Sequence, residues 1–125
     1  MSALVEPNTP GDLLKYEADA LYSRERATVA AGPALRLGTV LGAVTATGLL
    51  YPLTLEATDG TQAAIAVLLY DCAAYQNPRT NAIIVARHAI VAHHALRWPE
   101  GITAEQQHTA IAQLKVAGIL VRQGV

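Results

Sequence analysis

The alternation of apolar and polar residues divides the chain into residues 1–26 and residues 27–125. In the first part, the apolar residues keep neither a two-residue nor a 3.6-residue period, and Pro7 and Pro10 interrupt the chain. In the second part, short runs of Ala, Val, Leu and Ile alternate with turns that contain Gly and Thr. We therefore expect an extended N-terminal arm that does not fold with the rest, followed by a compact β-rich body.

Apolar runs between turn signals predict a series of short strands in the body. Gly42 predicts a bulge or a close backbone approach in one strand, and Pro52 predicts an edge position for another. The run Ala63–Tyr70 is typical of a strand that is buried on both faces, and Asp59-Gly60 predicts a reverse turn. The predicted strands are Ala27–Ala31, Thr39–Thr45, Leu50–Leu55, Ala63–Tyr70, Ala82–His94 and Ile119–Arg122, and a polar loop is expected at Asp71–Asn81.

One segment has the signals of a helix. Thr103 and Gln106 form a capping-box pattern, and Gly118 is placed to end the helix in the left-handed conformation. Apolar residues fall on one face between these ends, which predicts a helix over about Thr103–Ala117. A chain of 125 residues is expected to form one domain. The predicted fold is a small α+β domain, mostly β, with short strands and one helix in its C-terminal half.

The composition indicates that part of the surface faces a partner. Apolar residues make up 52% of the chain and charged residues 15%, which leaves few charges to cover the outside. The net charge is −1 and the basic residues are scattered, so the pattern of a nucleic-acid-binding protein is missing. The uncharged stretch Leu37–Leu55 contains three glycines and Pro52, which favour turns and strands over a membrane-spanning helix. We also expect no secretory signal.

Three histidines suggest a possible metal site. If Ala82–His94 is one strand, His93 and His94 point to opposite faces, and His88 lies roughly 20 Å from His94 at about 3.3 Å per residue. No pair could then share a zinc ion within one chain, although a three-fold axis could still bring together one histidine from each of three chains. The lone Cys72 is expected to be a small core residue in a reducing compartment. We therefore expect no catalytic set, no metal, no cofactor and no enzyme activity.

Several segments occur together in one order along nearly the whole chain. They are Gly11–Glu17, Leu21–Glu25, Leu37–Gly42, Ala57–Gln62, Leu96–Thr103 and Gly118–Arg122. In this combination the sequence resembles the head decoration proteins of tailed phages, the family typified by protein D of phage lambda. The resemblance implies a homotrimer that binds the major capsid protein on the outside of the expanded capsid and stabilises the shell against packaged DNA. It also implies a virion location after synthesis in the host bacterial cytoplasm, with no nucleic-acid or membrane partner.

The resemblance further implies that the N-terminal arm is loose in the free protein and docks onto the capsid. On this view, a chain that begins at residue 23 would keep a folded body. Trp98 and Pro99 stand between the long predicted strand and the helix, where we expect them to pack the helix onto the sheet or to line a subunit interface. The expected capsid-binding residues of the arm are Leu4, Val5, Leu13, Leu14, Tyr16, Leu21 and Tyr22.

An alternative interpretation is a small β-rich module that binds a ligand such as a glycan. Turn-rich β domains of this size often bind ligands, but aromatic residues for stacking on sugars are few in this chain. The five tyrosines are dispersed along the sequence, which disfavours a shared binding site. The sequence therefore favours the structural role.

Overall fold

A computed structural model describes residues 8–124 of the chain. The strands in this range are β1 (Leu14–Glu17), β2 (Arg24–Val29), β3 (Val40–Ala43), β4 (Leu50–Pro52), β5 (Ala66–Leu68), β6 (Arg79–Val85), β7 (Ala89–Ala92) and β8 (Ile119–Arg122). The helices are α1 (Pro10–Leu13), α2 (Ala20–Ser23) and α3 (Ala104–Val116), and His93–Ala95 form a 3₁₀ turn. The predicted mostly β domain with a helix in its C-terminal half is confirmed.

Five strands close into a barrel in the order β2-β4-β3-β5-β6. Neighbouring strands are antiparallel except β2 and β4, which are parallel and meet at Val29 and Leu50. Because β4 lies between β2 and β3, the edge position predicted from Pro52 is wrong. Pro52 is tolerated because it ends β4 beyond the point where that strand meets β2. The barrel interior is filled by Val29, Leu41, Leu50, Ala66, Leu68, Ala82 and Ile84.

The remaining strands form a second sheet in the order β1-β7-β8, in which β1 is antiparallel and β8 parallel to β7. Helix α3 leads directly into β8 and packs beside it. Alternate residues of a strand face opposite sides, so each barrel strand has inward-facing and outward-facing residues. The outward-facing residues form the main core together with the second sheet and α3. Its largest fully buried members are Leu13, Val40, Val67, Leu69, Val85, Val91, Leu114 and Ile119.

Helix α3 begins and ends close to the predicted positions. The N–H of Gln106 donates to Oγ1 of Thr103 at 3.1 Å, and the N–H of Thr103 donates to Oε1 of Gln106 at 2.9 Å, so the predicted capping box is present. Gly118 follows the helix with φ +86°. A Cβ atom at Gly118 would lie 2.7 Å from Cδ2 of His88, so both the backbone conformation and the close approach require glycine.

Two local predictions in the barrel are also confirmed, and a third holds only in part. A Cβ atom at Gly42 would lie 2.6 Å from the carbonyl oxygen of Thr61, which is the close backbone approach expected there. The carboxylate of Asp59 accepts hydrogen bonds from the N–H of Thr61 at 3.0 Å and from its hydroxyl at 2.6 Å, and Gly60 has φ +112°. These bonds form the predicted reverse turn. Of the strand predicted over Ala63–Tyr70, only β5 forms; its three residues are buried, whereas Ile65 and Tyr70 are exposed.

The single strand predicted over Ala82–His94 is wrong. Strands β6 and β7 share this run, and the turn between them gives His88 a positive φ of 49°. The turn carries the chain from the barrel to the second sheet. Both strands are largely buried, so apolar residues flank the turn on both sides, and only Arg87 and His88 mark it in the sequence. Strand β6 also begins at Arg79, inside the polar loop predicted over Asp71–Asn81.

The described part of the N-terminal arm folds with the body, contrary to the expectation for residues 1–26. Strand β1 pairs with β7, β2 pairs with β6 from Arg24 onward, and Leu13 lies in the main core. The predicted boundary after residue 26 therefore falls inside β2. The segment shows no lasting period because one-turn helices alternate with short strands, each too short to display one. Leu4 and Val5 lie outside the described residues, 8–124.

These contacts change what is expected of a truncated protein. A chain that begins at residue 23 would lose all of β1 and would leave the space of Leu13 in the main core empty. Loss of a fully buried leucine alone leaves a cavity that costs several kcal/mol. We therefore expect this truncation to impair folding, so it would not isolate a binding arm from an intact body.

Leu13 and Leu21 test the folded state of the segment, because both belong to the predicted arm but differ in burial. Leu13 is 0% exposed and Leu21 is 95% exposed. We expect Leu13→Ala to lower the free energy of unfolding by about 2–5 kcal/mol. Leu21→Ala should change it by less than about 0.5 kcal/mol. Urea denaturation measures both, and equal effects would contradict the place of Leu13 in the core.

Candidate interaction surface

The N-terminal segment, defined as residues 13–24, lies along the turn between β6 and β7. Tyr16 sits in β1 and pairs with β7. The N–H of Ala18 donates to the carbonyl oxygen of His88 at 3.0 Å. The ring of Tyr22 meets the ring of His88 edge to face, with 4.9 Å between centroids. The segment is therefore attached to the turn at several successive points.

Three large side chains of this segment are exposed although its backbone is folded. They are Tyr16, Leu21 and Tyr22. Leu14 is half-buried against the main core, and Leu13 is fully buried within it. Of the predicted contact residues that the structure describes, these two leucines support the fold, and the other three are available to a partner.

Glu17 fixes the segment by joining β1 to the start of β2. Its carboxylate accepts hydrogen bonds from Nη2 of Arg24 at 2.7 Å, from Nε of Arg24 at 3.1 Å and from the buried hydroxyl of Ser23 at 2.5 Å. A guanidinium held by two nitrogens gives a directional and strong contact. The Arg24 guanidinium holds the pKa of Glu17 below its usual value, and Glu17 in turn raises the pKa of Arg24. The contact between Glu17 and Arg24 therefore joins the two ends of the loop that carries Leu21.

Arg87 holds the same loop from the side of the β6–β7 turn. One nitrogen of its guanidinium donates to the carbonyl oxygen of Tyr22, and another contacts Glu25 at 2.6 Å. The guanidinium also lies 5.4 Å from the centre of the Tyr22 ring, within the range of a cation–π contact. Asp19 caps the one-turn helix α2 by accepting from the N–H of Leu21 at 2.9 Å. The exposed Leu21 therefore projects from a backbone that is held by hydrogen bonds on both sides of it.

Trp98 packs against the main core and is half-buried. Its ring centre lies 6.3 Å from that of His93, and its Nε1 is buried without a hydrogen-bond partner among residues 8–124. Pro99 is half-buried beside it. Packing of Trp98 onto the core fits one of its two expected roles, and a subunit contact at Trp98 and Pro99 stays a prediction.

The separation of the histidines was predicted for a single strand over Ala82–His94, which the structure does not contain. His93 and His94 lie in the 3₁₀ turn after β7, and His88 lies in the turn before it. Among residues 8–124, no group of three or more His, Cys, Asp or Glu side chains is arranged to hold a metal ion. Burial raises the pKa of the half-buried Cys72 thiol, which disfavours the thiolate that a nucleophile requires. No helix within the described range is long and apolar enough to cross a membrane.

Sequence reasoning missed the structural role of Arg79, which it placed in a polar loop. Arg79 is 8% exposed, and its guanidinium donates to the carbonyl oxygens of Ala73 at 2.6 Å, Pro33 at 3.1 Å and Ala30 at 2.8 Å. It therefore ties two loops of the barrel together. A lone arginine after a proline carries no sequence signal for such a contact, since its partners are backbone groups and two of them, at Ala30 and Pro33, lie far along the chain.

A family model described as bacteriophage lambda head decoration protein D matches residues 3–119 of the chain. The match includes the N-terminal segment, the barrel and helix α3, so it does not depend on the barrel alone. No individually curated protein matches the chain.

The Glu17–Arg24 pair predicts a pH dependence of stability. The folded-state pKa of Glu17 is lowered, so its contribution is complete above the usual value of 4.5 and is lost as the pH falls through the lower folded-state value. We expect Glu17→Gln to lower the free energy of unfolding by about 1 kcal/mol at pH 7. The difference between wild type and variant should shrink below pH 4.5, as measured by denaturation across pH 3 to 7.

Glu25→Gln is the matched control, because Glu25 pairs with Arg87 in a more exposed position. Exposed ion pairs contribute little, so this change should cost less than about 0.5 kcal/mol. If Glu17→Gln had no larger effect than Glu25→Gln at pH 7, the Glu17 contact would not be what fixes the segment.

Proposed function

The chain belongs to the bacteriophage lambda head decoration protein D family, and we propose that it binds as a homotrimer to the outside of the expanded capsid. There it stabilises the shell against the pressure of packaged DNA. The family match over residues 3–119 is the observation that carries this proposal. Members of this family are structural components of the phage head, which fits a role in binding and not in catalysis.

The proposed partner is the major capsid protein, and the N-terminal segment supplies part of the contact. Exposed apolar side chains are unfavourable in water and gain when a partner covers them. Leu21 is the strongest candidate anchor, since full burial of a leucine contributes about 1.5–3 kcal/mol. Tyr16 and Tyr22 extend the contact. Leu4 and Val5, which precede the described residues, belong to the same proposed surface.

The anchoring by Glu17 and Arg87 supports a contact that is formed before docking. Ordering a free chain costs about 1–2 kcal/mol per residue in conformational entropy. Residues already held in β1 and α2 do not incur that cost on the capsid, so more of their contact energy appears as affinity. The proposal therefore assigns Leu21 to a preformed contact, in place of the loose arm expected from the sequence.

Trimerisation would multiply the strength of these contacts. The low content of charged residues, 15% of the chain, supports an interface between copies. Three linked contacts raise the effective concentration of each, so avidity can exceed a single contact by roughly 10²–10⁴. Simultaneous engagement requires the spacing of coat subunits in the expanded shell. Binding should accordingly favour expanded over precursor shells. Within the trimer, the subunit interface is proposed to include Trp98 and Pro99.

Particles with and without this protein test the proposed function directly. Bare expanded particles filled with DNA should release it at a lower temperature than particles saturated with the protein, because decoration links neighbouring coat subunits. Heating both and detecting released DNA with an intercalating dye measures the difference. Chemical crosslinking of the protein on the particles should give three chains per complex, whether the free protein is a trimer or a monomer that trimerises on the shell. Equal release temperatures would contradict the stabilising role, and a dimer would contradict the trimer.

Leu21→Ser tests the proposed anchor separately. We expect it to weaken binding to expanded particles by about tenfold or more, since burial of a leucine is worth about 1.5–3 kcal/mol and 1.4 kcal/mol is tenfold. The melting temperature should stay unchanged because Leu21 is exposed. Val116→Ser is the matched control, since Val116 is 90% exposed on helix α3, outside the N-terminal segment. A similar loss in both variants, or in neither, would remove Leu21 from the contact.

A further inference from the structure

Two neighbouring cavities share Tyr75 on the outside of the barrel. One has a volume of about 400 Å³ and includes Tyr70, Tyr75 and Asn81 in its lining. The other is a more open depression of about 640 Å³ that Gln76 and Asn77 help to line. The two cavities adjoin at Tyr75, which lines both. This tyrosine trough is defined by Tyr70, Asp71, Tyr75, Gln76, Asn77 and Asn81.

The backbone that carries the trough is held in place from below. Gly32 and Tyr75 exchange two backbone hydrogen bonds of 3.0 Å, and Leu35 and Cys72 exchange two of 2.7 and 2.8 Å. The buried guanidinium of Arg79 adds its bond to the carbonyl oxygen of Ala73. A loop with this many internal bonds is positioned in advance, which lowers the entropy cost of binding a ligand.

The lining combines aromatic rings with planar polar groups. Tyr70 is 46% exposed and Tyr75 is 57% exposed, so both rings are open to a ligand. Oδ1 of Asp71 accepts from the N–H of Leu37 at 2.7 Å, which fixes the carboxylate and leaves Oδ2 without a hydrogen-bond partner among residues 8–124. The amides of Gln76, Asn77 and Asn81 each offer donors and an acceptor.

We propose that the tyrosine trough binds an oligosaccharide of hexopyranose units with equatorial hydroxyl groups. Such a ring presents C–H groups on its faces, which stack on the apolar faces of Tyr70 and Tyr75. Its hydroxyl groups lie around the rim, where carboxylate and amide groups can both accept and donate. The cavity volumes fall within the range of about 300–1,000 Å³ that is usual for small-ligand sites. This activity is separate from the capsid contact proposed for Leu21.

The charge of the tyrosine trough favours a neutral sugar over a nucleic acid as the ligand. A strand of nucleic acid also stacks on aromatic rings, but its phosphates require accessible cations. Arg79 lines the trough but is 8% exposed, and its guanidinium is already bound to three carbonyl oxygens. Arg24, which interacts with the side chain of Tyr70, is already paired with Glu17. Asp71 places a negative charge in the same lining. A neutral polyhydroxyl ligand fits this balance better than a phosphodiester.

The dispersal of the tyrosines along the sequence disfavoured a glycan site, and the structure changes this assessment. The tyrosines are dispersed along the sequence, but the loop from Tyr70 to Tyr75 brings two of them to one cavity. Tyr70 and Tyr75 stand five positions apart, and the pairing of Gly32 with Tyr75 fixes the backbone at the second of them.

Titration with N,N′,N″-triacetylchitotriose and with cellotriose tests the proposal. Saturation-transfer NMR on the free protein should show contact with at least one of the two, and the ring resonances of Tyr70 and Tyr75 should shift on titration. Tyr75→Ala should weaken binding about tenfold, whereas Tyr75→Phe, which keeps the ring, should bind within about threefold of wild type. Tyr51→Ala removes another exposed tyrosine that lines neither cavity, so it should leave binding unchanged.

The same titration on decorated particles separates a ligand site from a protein interface. Sugar binding should persist on the particles, and Tyr75→Ala should decorate them as wild type does. Failure of the wild-type protein to bind either sugar would overturn the proposal. So would equal loss in Tyr51→Ala, or loss of decoration in Tyr75→Ala, which would assign the trough to a protein partner.

Discussion

The backbone turn at residues 86–88 carries the chain out of the barrel, through β6, and into the second sheet, through β7. The N–H groups of Ala86 and Arg87 donate to the carbonyl oxygen of Ser23 at 2.8 and 3.3 Å, so this turn also fixes the N-terminal segment. On its other side, Gly118 approaches the ring of His88 so closely that a side chain would not fit. Barrel, second sheet, N-terminal segment and the end of α3 therefore depend on one geometry.

This arrangement explains how a short segment can complete the fold and still present exposed side chains to the proposed partner. Leu13 fills the main core, and Leu21, eight residues later, is almost completely exposed. The Glu17–Arg24 pair closes the loop that carries Leu21, and Arg87 fixes it from the turn. The structure thus separates the residues that hold the segment from those that it presents. This separation fits the proposed function, in which a preformed contact engages several subunits of the shell at once.

The predictions that succeeded used signals contained within a few residues. The capping box of Thr103 and Gln106, the turn at Asp59 and the close approach at Gly42 each follow from local chemistry, and all are present. The failures came where distant residues decide the structure. Nothing near Arg79 indicates that its partners are carbonyl groups at Ala30 and Pro33.

The structure of the N-terminal segment was predicted wrongly for a related reason. Helices of one turn and strands of four residues cannot establish a period, and their stability comes from β7 and the main core. The same holds for the run that contains β6 and β7, where burial on both sides conceals the turn. The family was predictable because its motifs are distributed along the chain, and the match over residues 3–119 confirms it.

The central claim is that β1 is an integral strand of the folded body. Amide hydrogen exchange on the free protein tests this claim most directly. Protection factors report local opening, so they distinguish a paired strand from a loose arm. The account predicts that amides of β1 that are paired with β7 exchange as slowly as the β7 amides facing them. Rapid exchange throughout Leu14–Glu17, with β7 and β8 still protected, would contradict it.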